Sequence, residues 1–241
     1  MLVSTQGLVL HTTAYAETSL IAKIFTRQLG VRSYIVKGVR KSGGRTKQNL
    51  FQPLSCLDLV VYDTPHAEIN YIKDISPAHT LPPSFDESLF SILFFLDELL
   101  YRTLRENEPM PELYDYIVAT ILSLPDYSQL SSLPVSVLLS VARHLGIAPL
   151  DNHSHREPLF NLSEGRFVSP NTPADPDSLL SPDISIALHN YMLSVNSSSP
   201  MPLYPPSVRR HIVNALIDYY KHHLSYFGNF KSHEILHSVL A

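Results

Sequence analysis

The sequence predicts an α+β protein: a five-stranded β-barrel over residues 1–80, then a mainly helical domain over 81–241. Three observations predict it. The first 80 residues break into five short β-branched and aromatic segments, separated by polar or Gly/Pro-containing joints. Beyond "SPAHTLPPSF" the apolar residues recur at three and four instead of at two. Formal charge changes sign at the same place, from +4 over residues 1–80 to −8 over 81–241.

The strand segments are "GLVLHT", "SLIAKIFTR", "VRSYIVKGV", "LSCLDLVVYD" and "EINYIKDIS". The second puts Leu20, Ala22 and Ile24 on one face and Ile21, Lys23, Phe25 and Arg27 on the other; in the third, Arg32 and Tyr34 share a face. The fourth alternates most clearly, with Ser55, Leu57, Leu59 and Val61 opposite Cys56, Asp58, Val60 and Tyr62. Five short strands that must hide their edges fit a small closed barrel of the oligonucleotide-binding (OB) type, whose strand 2–3 face carries the ligand. An SH3-like barrel and an open sheet are the alternatives.

The first helix carries Phe85, Leu89, Ile92, Leu93, Leu96, Leu99 and Leu100 at helical spacing, with Phe90, Phe94 and Tyr101 widening the stripe, so it is expected to lie buried. Helices over 112–124 and 135–145 follow, the second stopped by Gly146 with Pro149 beyond. Residues 147–178 hold five prolines and no sustained period, and read as a small irregular subdomain around Phe160, Leu162 and Phe167. A helix over 183–195 is followed by a long one carrying Val208, Ile212, Leu216, Tyr219, Tyr220, Leu224 and Phe227. A last short helix is expected, capped by Ser232 with Glu234 in its first turn.

Composition narrows the function. No apolar run approaches the roughly 20 residues of a membrane span, and the N-terminus lacks a signal-peptide pattern, so a cytoplasmic protein is expected. One cysteine, Cys56, leaves neither an intrachain disulfide nor a multi-thiolate metal site. Its strand context makes it a packed thiol. No G-x-S-x-G, H-E-x-x-H or paired-carboxylate pattern occurs in a fitting context, so no enzyme is expected. "KGVRKSGGRTKQ" lacks GxxxxGK[ST] and opens no helix, which excludes a phosphate-cradling nucleotide loop. His153 and His155, with Glu157 nearby, form an H-x-H group that falls short of the four fixed ligands of structural zinc.

The candidate binding residues are cations. Residues 23–47 contain eight basic and no acidic side chains: Lys23, Arg27, Arg32, Lys37, Arg40, Lys41, Arg45 and Lys47. Cations interleaved with aromatics such as Phe25 and Tyr34 suit single-stranded nucleic acid, the cations neutralising phosphates and the rings stacking on bases. The same pattern also arises when the aromatics are core and the charges a solvated rim. Arg209 and Arg210 fall in the first turn of a helix, where the macrodipole disfavours cations unless an anion or an acidic side chain compensates.

Leu8–Leu10, Tyr15/Glu17/Ser19, Thr26/Gly30 and Lys37/Gly38/Arg40 reproduce in order the hydrophobic strand, Y-x-E-x-S/T turn, T-x-x-x-G hairpin and K-G-x-R segment of the RecO family of bacterial recombination mediators. The chain resembles that family again at Gln52-Pro53, "LLSVARHLGIAPLDN", "FNLSEGRF", "RRHIVNALIDYYKHHL" and "KSHEIL", over most of its length. The resemblance implies an N-terminal OB fold and a helical C-terminal domain. It further implies binding and annealing of single-stranded DNA, partnership with RecR, contact with the acidic tail of single-strand-binding protein, and help in loading RecA. Many members carry a four-cysteine zinc site flanking the F-x-L-x-x-G stretch; this chain has no cysteine there, so zinc is not expected. The chief rival is a non-catalytic adapter whose basic loop binds an acidic protein.

Overall fold

A computed structural model describes residues 1–39, 48–64, 67–79, 86–127 and 129–240. Five strands, β1 (Leu2–Tyr15), β2 (Ser19–Thr26), β3 (Gly30–Val36), β4 (Cys56–Tyr62) and β5 (Asn70–Pro77), close into a barrel of order β1-β2-β3-β5-β4. The long β1 pairs antiparallel with both β2 and β4, its register slipping between Val9 and His11, while β3 and β5 pair in parallel. That order is the OB arrangement expected from the five segments.

Period-2 patterning places the core. Val9, Leu20, Ala22, Ile24, Tyr34, Val36, Leu57, Leu59 and Val61 point inward and pack together. The β2–β3 turn explains the Thr26/Gly30 spacing. The Thr26 hydroxyl donates to the Gly30 carbonyl at 2.8 Å and accepts from Leu29 N–H, and Gly30 has φ of +70°. A Cβ at Gly30 would also lie 2.4 Å from the Glu108 carbonyl oxygen, so glycine is required there on two grounds. Cys56 is buried, and burial pushes its thiol up to about 11, as fits a packed strand residue.

Among the described residues six α-helices follow: α1 (Glu87–Thr103), α2 (Pro111–Ser123), α3 (Leu133–His144), α4 (Pro182–Ser197), α5 (Pro206–His223) and α6 (Ser232–Val239). Proline occupies the first or second position of α2, α3, α4 and α5, where its missing N–H goes unused. Gly146 ends the α3 segment at φ of +73°, with Ile147 N–H reaching back to the Ala142 carbonyl at 2.9 Å.

The chain forms two compact units: residues 1–85 with 96–125, and residues 86–95 with 126–241. The first therefore includes α2 as well as the barrel. In the second, α3, α4 and α5 pack mutually, and a two-stranded sheet, β6 (Leu159–Asn161) with β7 (Arg166–Val168), organises the irregular subdomain.

Three helical expectations need correcting. On α1, Leu89, Ile92, Leu96, Leu99 and Leu100 are buried, but Phe90, Phe94 and Tyr101 are about half exposed. The apolar stripe is thus narrower than its residues suggest; Phe85 lies outside the described residues. Helix α5 ends at His223, so Leu224 and Phe227 occupy the turn beyond it, where Phe227 stacks on Phe230. The cap of α6 is Lys231, and Ser232 is its buried first residue.

Candidate nucleic-acid interface

The β2–β3 face, expected to carry the ligand, is covered from within the same unit. Residues 104–117 supply the cover. Asn107 N–H donates to the Val31 carbonyl at 3.0 Å, and Val31 bridges Glu106 in parallel. The Phe25 ring meets Tyr114 edge-on at 5.5 Å, both fully buried, and burial raises the Tyr114 phenol. Tyr34 is 1 % exposed inside the barrel, where burial likewise raises its phenol. Neither Phe25 nor Tyr34 is available to stack on a base. Both aromatics belong to the core, which corrects the assignment of Tyr34 to a binding surface.

The cations of β2 and β3 and of the turn between these strands are engaged by the same cover. Lys23 Nζ lies 2.9 Å from a Glu106 carboxylate oxygen and 5.2 Å from the Tyr101 ring centroid. Arg27 makes a two-pronged pair with Asp115, Nε and Nη2 donating to Oδ1 and Oδ2 at 2.7 and 2.8 Å. Each shifts the other away from its neutral form, the arginine upward and the carboxyl downward. Arg32 donates to the Asn107 side-chain carbonyl and lies 3.7 Å from Asp63, with both charged side chains 15 % exposed. A phosphate reaching these three cations would have to displace a carboxylate or an amide of this chain.

Among the described residues Lys37 has no such carboxylate partner; its ammonium sits 5.4 Å from the Tyr71 ring centroid. Tyr71 is 51 % exposed, and its cross-strand neighbour Tyr62 is 46 % exposed. These two tyrosines were missed as site residues. Tyr62 did fall opposite the buried face of β4 in the alternation, but only closure of the barrel puts Tyr71 beside it. Arg40, Lys41, Arg45 and Lys47 lie outside the described residues.

In the second unit, Arg209 is part-buried and donates to the Tyr204 carbonyl at 2.6 Å and the Leu240 carbonyl at 3.4 Å. Backbone oxygens thus compensate its place in the first turn. Arg210 is exposed on a depression of about 450 Å³ shared with His211, Asn214, Asp177 and Asp218. The two carboxylates there make it a mixed surface, unlike the carboxylate-free run of residues 23–47.

The irregular subdomain does not fit a thiolate zinc centre. It contains no cysteine, and among the described residues no group of three or more His, Cys, Asp or Glu is gathered to hold a metal ion. Side-chain amides cross-link it instead. Asn152 accepts from Phe167 N–H at 2.9 Å and donates to both the Phe167 carbonyl, at 2.9 Å, and Glu157, at 3.0 Å. Asn161 accepts from the N–H groups of Ser163 and Glu164, shaping the β6–β7 turn. Around them Phe160, Phe167, His153 and His189 form an aromatic cluster in which the two imidazoles stack at 4.5 Å. Burial and the neighbouring His189 and His155 push the His153 imidazole below its usual range. Asp151 lies 3.0 Å from His189 Nδ1.

Two family models match the chain, the recombination protein O N-terminal model over residues 1–81 and the C-terminal model over 86–232. The chain is 31 % identical to the DNA repair protein RecO of Phocaeicola vulgatus over 247 aligned residues, covering 100 % of both chains. It is 27 % identical to the protein of the same description from Flavobacterium psychrophilum, again over 100 % of both. With that from Porphyromonas gingivalis the identity is 29 %, over 99 % of each.

Proposed function

The chain belongs to the recombination protein O family of DNA repair proteins, and from that premise we propose that it binds and anneals single-stranded DNA and, with RecR, helps load RecA onto DNA coated by single-strand-binding protein. The observation that carries this reading is an OB-ordered barrel whose third strand runs into Lys37, Arg40, Lys41, Arg45 and Lys47 without one intervening carboxylate. Cations that hold two strands screen the repulsion between them, a sufficient physical reason for annealing without nucleotide hydrolysis. In this reading the protein is not an enzyme and uses neither metal nor nucleotide. It acts in the cytoplasm in association with the nucleoid, contacts the acidic tail of single-strand-binding protein, touches RecA only indirectly, and accepts double-stranded DNA as a secondary ligand. Among the described residues no helix is long and apolar enough to cross a membrane.

One observation favours a second reading, the acidic-protein adapter. Lys23 and Arg27 each already hold a carboxylate of this chain, and Arg32 lies near a third. A titration with a random-sequence oligonucleotide over a range of salt separates the two. DNA binding predicts affinity that falls with log[salt] by a slope of roughly −0.7 per phosphate contact on a single strand. Charge reversal of Arg40, Lys41, Arg45 and Lys47 together should weaken binding and flatten that slope; an unchanged slope would move the phosphate contacts elsewhere, with Arg210 next to be tested. No binding even at low salt leaves the adapter.

A further inference from the structure

On the outside of the barrel, away from the inward-facing core set, one row of side chains crosses four strands. The register aligns Leu2 of β1 with Tyr62 of β4, Tyr62 with Tyr71 of β5, and Tyr71 with Ile35 of β3. Their sequence neighbours Val61, Ile72, Tyr34 and Val36 pack into the core, so the pleat turns this row outward. Leu2, Tyr62 and Tyr71 are 50 %, 46 % and 51 % exposed. The Cβ atoms of cross-strand partners of this kind stand about 5 Å apart, so the two exposed tyrosines are neighbours on this face. Cations border it: Lys37 sits over the Tyr71 ring, and Lys73 is exposed two residues further along β5. Of the nearby carboxylates, Asp63 faces Arg32 and Glu68 precedes the start of β5; the register break skips Lys73 and sets Asp74 opposite Val60, on the same side as Tyr62, so Asp74 stands beside Lys73 at the edge of the row.

We propose that Tyr62 and Tyr71, flanked by Lys37 and Lys73, form a base-stacking platform for single-stranded nucleic acid on the β4–β5 side of the barrel. The proposal rests on the DNA-binding reading above and assigns that function a location, replacing the β2–β3 face that residues 104–117 cover. The chemistry selects the occupant. Each phenol ring offers a π-face that any base can use, and ammonium groups at the edge match a phosphate backbone. An apolar peptide would instead need a concave pocket to exclude water.

The full chain is titrated with a fluorescently labelled oligothymidylate and with an abasic oligonucleotide of equal length. Tyr62→Ala and Tyr71→Ala should each weaken oligothymidylate binding by about 5- to 150-fold, the range of one lost base stack, without changing the salt slope. Tyr→Phe at the same positions should retain affinity, and the abasic strand should bind wild type and variants alike. Lys37→Ala should lower the slope by about 0.7. Because the chain has 13 tyrosines and no tryptophan, quenching of tyrosine emission by oligothymidylate gives a second readout, which the double alanine variant should diminish. Wild-type affinity in the double variant overturns the platform while leaving DNA binding intact, as does a variant that loses only a protein partner. Failure of the wild-type chain to bind either oligonucleotide overturns the reading beneath it.

Discussion

The barrel unit and the helical unit treat their charges in opposite ways. On β2, β3 and their connecting turn, Lys23 and Arg27 pair with Glu106 and Asp115, while Arg32 bonds Asn107 and lies near Asp63, all within the first unit. In the second unit Arg209 turns to backbone carbonyls, and the irregular subdomain is tied by the amides of Asn152 and Asn161. A basic count therefore measures available charge poorly, because a cation beside a carboxylate of its own chain is only conditionally free. Within residues 23–47 the distinction falls between the β2–β3 cations and Lys37, which sits over a ring.

The comparison can be broken most severely at the cover itself. Phe25→Ala should destabilise the barrel unit by about 4 kcal/mol, the cost of truncating a buried phenylalanine, and should loosen residues 104–117 first; faster backbone exchange at Asn107 N–H would register it. Asn152→Ala should cost the helical unit about 2 kcal/mol, because it strands the N–H and carbonyl of the buried Phe167. The same unfolding curve recorded with and without a chelator should superimpose, and a chelator-induced shift would restore a metal to the subdomain.

Acidity should move the two units in opposite directions. Burial, helped by Glu98, raises the Asp97 carboxyl to about 7 from a usual 3.8. The folded barrel unit holds that proton more tightly than the unfolded chain does, so this stabilisation is complete below about 4 and is lost as pH rises to about 7. In the helical unit, burial, then His233 and Arg210, lowers His237 to about 4 from 6.5. Its contribution is complete above 6.5 and lost as pH falls towards 4. Asp97→Asn should flatten the first dependence and His237→Gln the second, read as unfolding midpoints across that range. The smallest effect should come from Arg27→Ala. Its pair with Asp115 stands in water, so the melting temperature should fall slightly at low ionic strength and not at all in high salt.

Much of this was legible in the residues. Five strands, the Thr26/Gly30 hairpin and the proline and glycine limits of the helices follow from local chemistry, since alternation, turn conformation and a missing N–H act over a few residues. The faces of β2, β3 and β4 were legible too, but not what each face meets. Phe25 sits on the outer face as its spacing requires, yet it is core because Tyr114, far along the chain, closes over it. Tyr34 shares its face with Arg32, and the pattern alone left open whether that face was wet or dry. The aromatic pair Tyr62 and Tyr71 was invisible for a related reason: it exists only through cross-strand register.

By itself the sequence determined the family, the barrel-then-helix order, the carboxylate-free run of residues 23–47, and the absence of cysteine from the irregular stretch. Tertiary structure alone decided which cations are engaged, which aromatics are dry, and that an asparagine clamps the irregular subdomain. The division has one physical cause. Periodicity and composition are properties of a segment and its solvent preference, whereas burial, ion pairing and exposure are properties of two segments meeting, and the partner's position is fixed only when the chain closes on itself.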